Sequence, residues 1–205
     1  MWNPFKEKLI SELKTLKIGS PDDFTNFLNA VIDRKAFESI NEYITFARQS
    51  KDAEIIFGGE MDNSKGYFIA PTVILAKQPR FKTMVEEIFG PVLTVYVYED
   101  DEYEKILYEV DSSSKYALTG SIFANDRDAI KMAEKILRFT AGNFYINVKP
   151  TGAVVNQQPF GGSRKSGTND KAGSFFNLIR WTSPQSIKEE FLSARNYRYS
   201  FLDAD

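Results

Sequence analysis

Apolar residues recur at the three- and four-residue spacing of an amphipathic helix in two stretches near the start of the chain. The first stripe consists of Phe5, Leu9, Leu13 and Leu16. The second stripe consists of Phe37, Ile40, Ile44 and Ala47. We therefore expect one helix with Asn3 as its N-cap and Pro4 as its first residue, and another over residues 35–49. A short helix is expected between them, over residues 21–28.

Short apolar runs bounded by Gly or Pro predict strands in the next part of the chain. Residues 54–57 form such a run before a Gly-Gly pair, and residues 67–69 and 72–76 flank a proline. Both faces of the run at 91–98 are apolar or aromatic. A strand that is covered on both sides belongs in the middle of a layered sheet, so we expect residues 91–98 to lie there.

Helices and strands alternate from this strand to about residue 147. We expect a helix over 101–111, a second helix that Asp126 caps and that runs to about residue 138, and strands over 120–124 and 143–147. This alternation predicts right-handed crossovers and a mainly parallel, layered sheet of the α/β class.

Glycine and proline are frequent in residues 149–174, so we expect irregular backbone there. Long ordered loops in compact domains are usually functional. Residues 181–189 are expected to form a final strand, and residues 191–205 a C-terminal arm.

The length and composition fit one large globular domain or two small ones. The chain has 205 residues, of which 42% are hydrophobic and 26% are charged. It contains no cysteine and no histidine. A disulfide framework, a CxxC redox site, the usual zinc sets and a Ser-His-Asp triad therefore cannot form within these residues. Catalysis would need carboxylates, Lys, Tyr, Ser or Thr, or a reactive group from elsewhere.

The charge pattern argues against two classes of partner. Lys and Arg number 26 and Asp and Glu number 28, with a formal charge of −2. The basic residues are scattered, so we expect no nucleic-acid partner. No apolar stretch approaches the roughly 18 residues of a membrane span, so we expect no membrane insertion. The first residues also lack the pattern of a secretory signal.

The acidic turn at residues 86–91 directly precedes the apolar strand at 91–98. Ligands of open α/β sheets bind at the ends of strands, so a carboxylate there is well placed to meet one. A Glu of the pair at 86–87 could accept hydrogen bonds from ribose hydroxyls, and Phe89 could pack on a flat ring. A solvated acidic turn followed by a core Phe explains the same residues.

Two glycine-containing segments after residue 157 are further candidates. Residues 158–163 form a turn that two glycines require, which is either functional or a surface crossover with a buried Phe160. Residues 167–174 offer consecutive backbone N–H groups and hydroxyls. Such a concavity can hold an anion, including a carboxylate, although an ordinary polar loop has the same composition.

The order and spacing of these motifs resemble the C-terminal part of the aldehyde dehydrogenase superfamily. The motifs are EEIFGPV at 86–92, PFGG at 159–162 and SG at 166–167. Within the superfamily, the resemblance is strongest to the 1-pyrroline-5-carboxylate dehydrogenases. That similarity rests on GYFIAPTV, AGNFYIN, QQPFGGSRKSGTNDKAG and RWTSPQSIKE, and it extends from about Trp2 to Glu190.

The resemblance implies a partial catalytic domain over residues 1–190 that lacks the N-terminal NAD-binding domain. Within it, residues 148–160 would form the flap crossover and residues 180–189 the strand that joins an oligomerisation flap. Residues 191–205 match nothing and are assigned to a C-terminal tail. Val148, Pro150 and Asn156 depart from the family pattern around the crossover.

Members of this family oxidise glutamate γ-semialdehyde to glutamate with NAD, in proline breakdown. The resemblance implies that Glu87 holds the nicotinamide ribose and that Phe89 contacts the nicotinamide. It places Phe160 in the wall of the aldehyde pocket. It matches Gly173 and Ser174 to the loop that binds the carboxylate of the substrate through backbone N–H groups. No catalytic residue and no metal ligand is assigned within this chain.

The nucleophilic cysteine, the general base and most of the NAD site of the family precede the segment that matches Trp2. A thiohemiacetal cannot form without a thiolate, so we expect the 205 residues alone to be inactive. The chain is then the C-terminal piece of a split or processed dehydrogenase, a structural or accessory subunit derived from the enzyme, or an incomplete copy of a longer chain. The resemblance also suggests the mitochondrial matrix.

The sheet of the family would lose a strand that lies N-terminal to this chain. The edge beside residues 91–98 would then be open, and an open apolar edge promotes aggregation. We therefore expect a protein partner to cover it, either the complementary half of an enzyme or another subunit of an assembly.

Overall fold

The computed structural model describes residues 1–167, 170–192 and 196–202. Its α-helices are α1 (Trp2–Leu13), α2 (Arg34–Gln49), α3 (Lys82–Val85), α4 (Tyr103–Ser113), α5 (Arg127–Ile136) and α6 (Phe175–Ile179). Its strands are β1 (Ala53–Phe57), β2 (Met61–Asp62), β3 (Phe68–Ile69), β4 (Thr72–Ala76), β5 (Val92–Tyr96), β6 (Tyr116–Ala117), β7 (Thr119–Ile122), β8 (Asn143–Ile146) and β9 (Ser163–Arg164).

The second predicted helix is confirmed as α2. Its N-cap Asp33 accepts a hydrogen bond from the backbone N–H of Ala36 at 2.7 Å, which satisfies one of the free donors of the first turn. The four apolar residues of the predicted stripe are its buried residues. Helix α2 therefore supplies one side of the main hydrophobic core, together with Ile69.

The first helix begins earlier than predicted, and the short helix over 21–28 was a wrong prediction. Helix α1 has Met1 as its N-cap rather than Asn3, and none of its residues is buried. Residues 21–28 form turns, in which the carboxylate of Asp23 accepts a bond from the N–H of Thr25 at 2.9 Å. Short polar side chains of this kind bind nearby backbone groups and compete with helix formation.

The main sheet has the strand order β1–β4–β5. Strand β1 is antiparallel to β4, whereas β4 and β5 are parallel. Strand β4 is the buried central strand, and β5 lies at the edge of the described sheet, with Leu93 49% exposed. The prediction that residues 91–98 lie in the middle is therefore wrong for this chain, because no described strand pairs with the second edge of β5.

The second half of the chain confirms the predicted strand–helix alternation. Strands β7 and β8 are parallel, and helices α4 and α5 pack through Leu107, Ala133 and Leu137, which are buried. Asp126 caps α5 as predicted. The described strands nevertheless form separate sheets, so β5 and β7 each have an unpaired edge. An α/β fold with a mainly parallel pairing of its larger strands is present, in partial form.

The described residues between 149 and 174 are irregular, as predicted, with one exception. The two-residue strand β9 pairs with β6. The predicted strand over 181–189 was a wrong prediction, because Trp181 lies in a turn and residues 182–189 have no regular secondary structure. Within the same ranges, no helix has the length and apolar character needed to cross a membrane.

Candidate functional site

The acidic turn, residues 86–90, is attached to α2 at alternate positions. The hydroxyl of Tyr43 donates a hydrogen bond to Oε2 of Glu86 at 2.7 Å. Ile88 packs against the core cluster that contains Ile40. A Cβ atom on Gly90 would lie 2.5 Å from Cδ1 of Ile40, so this position requires glycine unless the core shifts. Three contacts with one helix therefore fix the turn.

The two intervening residues of the acidic turn face outward. Glu87 is exposed, and Phe89 is 88% exposed. Phe89 also has a φ of 59°, a left-handed conformation that costs a non-glycine residue about 1 kcal/mol or more. The alternative that Phe89 is a core residue is therefore wrong. An exposed aromatic ring on a strained backbone is expected where a ligand is bound.

Electrostatics around the turn favour a neutral Tyr43. Its hydrogen bond to Glu86 raises the pKa of Tyr43 above its ordinary value, and partial burial and the negative charges of Glu86 and Glu42 act in the same direction. The Nζ atom of Lys82 lies 5.0 Å from the centroid of the Tyr43 ring and 5.2 Å from that of Phe46. The cation therefore sits against the ring that carries the hydroxyl.

The second candidate region consists of the crossover, residues 148–160, and the glycine pair at 161–162 that follows it. Asn143 attaches this region to the start of β8. Its amide Nδ2 donates to the carbonyl of Pro159 at 2.9 Å, and the N–H of Gly161 donates to its Oδ1 at 3.2 Å. A Cβ on Gly142 would lie 1.8 Å from the carbonyl oxygen of Gly161. The crossover therefore approaches β8 as closely as a glycine allows.

Phe160 lies between these two contacts and is paired with the chain that follows. Its N–H donates to the carbonyl of Ala172 at 2.8 Å, and the N–H of Ala172 donates back at 2.9 Å. The side chain of Phe160 is 37% exposed, so the alternative of a buried crossover Phe is wrong. A half-exposed aromatic ring on a paired backbone suits the wall of a pocket.

The proposed anchor loop, residues 167–174, contains two residues that lie outside the described ranges, Thr168 and Asn169. Gly173 has a φ of 72° and its carbonyl accepts a bond from the N–H of Asn156 at 2.8 Å. Within the described part of the chain, the N–H groups of Gly173 and Ser174 have no acceptor. Two adjacent free donors at a left-handed glycine form a concavity that suits an anion.

Sequence reasoning missed a second turn of the same type. Gly152 has a φ of 81°, and no acceptor is found among the described residues for the N–H groups of Gly152 and Ala153. This turn lies in the crossover, eight positions before Phe160. The Pro150-Thr151-Gly152 sequence was a possible signal, because a Gly after Pro-Thr often marks a left-handed turn position.

The structure brings Phe160, Gly173 and Ser174 together through the backbone pairing of Phe160 with Ala172. Glu87 and Phe89 form a second group, in the acidic turn that is attached to α2. Among the described residues, no hydrogen bond or ring contact joins this group to Phe160, Gly173 and Ser174. Each group lies at the amino end of a strand, β5 or β8. This is the opposite end from the usual ligand crevice of open α/β sheets.

The sequence profile of the aldehyde dehydrogenase family matches residues 1–187. This chain therefore belongs to the aldehyde dehydrogenase family. Within the family it is 55% identical over 202 residues to the mitochondrial delta-1-pyrroline-5-carboxylate dehydrogenase of Dictyostelium discoideum, covering 98% of this chain. It is 48% identical over 203 residues to the mitochondrial enzyme of the same name from Homo sapiens.

Solved structures agree with the sequence relatives. The delta-pyrroline-5-carboxylate dehydrogenase of Mycobacterium tuberculosis superposes with a TM-score of 0.89 at 47% identity, over 100% of this chain and 38% of that one. Its structure with bound NAD gives a TM-score of 0.87. The chain spans about a third of its relatives, 36% of each curated protein named above. The partial α/β catalytic domain predicted from the sequence is thereby confirmed.

Proposed function

We propose that this chain is the C-terminal part of the catalytic domain of a 1-pyrroline-5-carboxylate dehydrogenase, which oxidises glutamate γ-semialdehyde to glutamate with NAD. The observation that carries the proposal is the outward presentation of Glu87 and Phe89. Burying a Phe side chain stabilises a fold by roughly 1.5–3 kcal/mol, which Phe89 forgoes at 88% exposure. A bound ligand that covers the ring explains this arrangement.

One of the two residue groups would bind NAD, and the other would bind the aldehyde substrate. The carboxylate of Glu87 would accept hydrogen bonds from the nicotinamide ribose, and Phe89 would contact the nicotinamide. NAD, when bound, supplies the hydride acceptor. Phe160 would line the aldehyde pocket, and the N–H groups of Gly173 and Ser174 would hold the substrate carboxylate.

The crossover turn at Gly152 and Ala153 offers the same kind of donor pair, so it competes with Gly173 and Ser174 for the role of carboxylate anchor. Most substitutions leave the backbone N–H in place, whereas a substitution by Pro removes it, because Pro has no backbone N–H. Ala153→Pro and Ser174→Pro each delete one N–H. The variant that raises KM for the semialdehyde without changing KM for NAD identifies the anchor in the completed enzyme.

The remaining two thirds of such an enzyme must come from residues other than these 205. The chain has no cysteine, so it cannot supply the thiolate nucleophile. We expect it to show neither dehydrogenase activity nor detectable NAD binding by calorimetry when it is alone. Micromolar affinity for NAD would contradict this part of the proposal.

The partner that completes the enzyme would cover the unpaired edge of β5. A cavity of about 340 Å³ lies between Tyr98, the apolar face of α4 and β7. A second cavity of about 210 Å³ lies beside it, between Tyr96 and α4, and shares Ile106 and Val110 of α4 with the first. Added strands between β5 and β7 would bury both. A purified chain that is monomeric and fully soluble in analytical ultracentrifugation would argue against such a partner.

The decisive experiment adds the missing part. The chain is expressed together with the upstream portion of a relative that carries the cysteine and the dinucleotide-binding domain, and NADH formation from the semialdehyde is measured. Glu87→Gln should raise KM for NAD, whereas Glu134→Gln, which alters an exposed residue of α5, should not. A complex that assembles but forms no NADH would refute the proposal.

A second candidate function is that of a structural or accessory subunit. The segment after α6 favours it, since Trp181 and Ile187 are each 84% exposed and have no partner strand among the described residues. Purification from the native source discriminates between the two functions. A co-purifying chain with a reactive cysteine supports the enzyme, and a large assembly without one supports the subunit.

The mitochondrial matrix is the proposed location, because several relatives are named as mitochondrial proteins. Fractionation of cells that express the tagged protein from its own gene would test this. Recovery in the cytosol alone would contradict it.

A further inference from the structure

The acidic turn, residues 86–90, has one polar attachment among its three contacts with α2. Ile88 and Gly90 are attached by apolar packing on α2, which fixes the carboxyl-terminal side of the turn. The amino-terminal side is attached by the hydroxyl of Tyr43 on the carboxylate of Glu86. Glu87 and Phe89 lie between these attachments.

We propose that Tyr43 is a positioning residue that, through Glu86, fixes the direction in which Glu87 and Phe89 are presented to the nicotinamide end of NAD. The proposal rests on the proposed function and deepens it. It assigns a role in cofactor binding to a residue of α2 that lies 43 positions from its partner.

Tyr43 is suited to this role because its own position is restricted. It lies next to Ile44, which is fully buried, on a helix whose apolar face forms the core. Lys82, four residues before Glu86, places its ammonium over the Tyr43 ring. The phenol is therefore held by the helix that carries it and by the short helix α3 that leads into the turn.

The turn needs such an attachment because Phe89 is strained. A left-handed Phe gains stability by relaxing toward an ordinary conformation, and its exposed side chain offers no packing that would resist the change. Loss of the Tyr43 hydrogen bond would leave the amino-terminal side of the turn held by one backbone bond, from the N–H of Glu86 to the carbonyl of Lys82 at 3.1 Å, and would leave the Glu86 side chain without its attachment to α2. Glu87 and Phe89 would then sample several directions, and NAD binding would have to select one of them.

The test measures backbone order by NMR relaxation in the full 205-residue chain, which requires neither activity nor NAD. Amide order parameters of Glu87 and Phe89 should fall from about 0.85 to below about 0.6 in Tyr43→Phe and in Glu86→Ala. Glu86→Gln should rescue the order, because its amide oxygen still accepts the bond. Tyr103→Phe is the matched control, since it removes a tyrosine bond to the carbonyl of Ala129.

The complex that is completed with an upstream partner provides the functional readout. Tyr43→Phe should raise KM for NAD by about 2- to 10-fold, the effect of losing one hydrogen bond, with a smaller change in kcat. A complex that forms no NADH refutes the proposed function, and the order parameters still decide the role of Tyr43. Three results would overturn the proposal: no loss of order at Glu87 and Phe89, an equal loss along all of α2, or an unchanged KM for NAD.

Discussion

Gly142→Ala is predicted to displace the crossover that carries Phe160. The new Cβ would lie 1.8 Å from the carbonyl oxygen of Gly161 and 2.5 Å from the Cα of Gly162. Both are backbone atoms, so no rotamer change removes the overlap. Gly142 itself does not have a left-handed φ, and the effect comes from lost space rather than from backbone strain.

The expected loss in the free energy of unfolding follows from the size of this overlap and from the hydrogen bonds that the displacement would lengthen. Nonbonded carbon contacts lie near 3.5 Å, so the crossover must move by about 1.5 Å. Overpacking of this kind costs about 1–3 kcal/mol. A shift also lengthens the two hydrogen bonds of Asn143 to Pro159 and Gly161, each worth about 0.5–1.5 kcal/mol. We expect a loss of about 2–4 kcal/mol in the free energy of unfolding.

Gly120→Ala in the neighbouring strand β7 is the matched control. Its Cβ would meet only the Cβ of Ala141, at 3.4 Å, which is an ordinary contact. The same substitution there should be neutral or stabilising by up to about 1 kcal/mol, through the unfolded state. Urea denaturation monitored by far-UV circular dichroism compares the two variants. Equal midpoints for Gly142→Ala and Gly120→Ala would refute the close approach of the crossover to β8.

Two further predictions concern a side-chain contrast and a pH dependence. Phe89→Ala should change the free energy of unfolding by less than about 0.5 kcal/mol, because the ring is exposed. Phe81→Ala, at a buried position, should cost about 3–5 kcal/mol. Similar losses for the two variants in urea denaturation would show that Phe89 is packed. The hydrogen bond from Thr140, with smaller contributions from the bond and charge of Arg164, lowers the pKa of Asp111. A lowered folded-state pKa stabilises the protein above the unfolded value of about 3.9, and this contribution is lost as the pH falls through the folded-state pKa. Wild type should therefore lose more stability than Asp111→Asn between pH 5 and pH 3 on urea denaturation, and parallel pH profiles would contradict this.

Elements that depend on their own side chains could be predicted from the sequence. The stripe of α2 identified all four of its buried residues, because a helix determines which positions share a face. The Asp126 cap of α5 was found for the same reason, since its carboxylate accepts bonds from the next few backbone N–H groups. These interactions lie within a few residues of one another, so the sequence contains all of the information that they need.

Elements that depend on a neighbour could not be placed in this way. The apolar faces of residues 91–98 correctly indicated a strand, but they do not show whether the next strand is in the same chain. Residues 181–189 have the composition of a strand, but they form none and have no partner strand among the described residues. Pairing is a property of two segments, and the described residues supply no second segment in either case.

In the candidate site, the sequence indicated which residues matter but could not indicate their backbone conformation. The resemblance named Glu87, Phe89, Phe160, Gly173 and Ser174, and the role of each stays a prediction. The sequence could not show that Phe89 has a left-handed backbone, because that conformation depends on contacts of its neighbours with α2, more than 40 positions earlier. Without those contacts, a Phe after Glu-Glu-Ile is equally consistent with a core residue.

The acidic turn that carries Phe89 is directly connected to β5, the strand with an unpaired edge. Phe89 precedes β5 by three residues, so the turn that presents it leads directly into the strand with the unpaired edge. Strands added beside β5 would restrict the path of the backbone at Pro91 and Val92. The carbonyl of Pro91 already accepts a hydrogen bond from the N–H of Thr72 in β4 at 2.9 Å. Completion of the sheet and ordering of the acidic turn are therefore expected to be coupled. A partner that pairs with β5 should therefore restore part of the order that Glu87 and Phe89 lose in Tyr43→Phe, even in the absence of NAD. Relaxation measurements on the completed complex of this variant without cofactor would show an equally mobile turn if the two are independent.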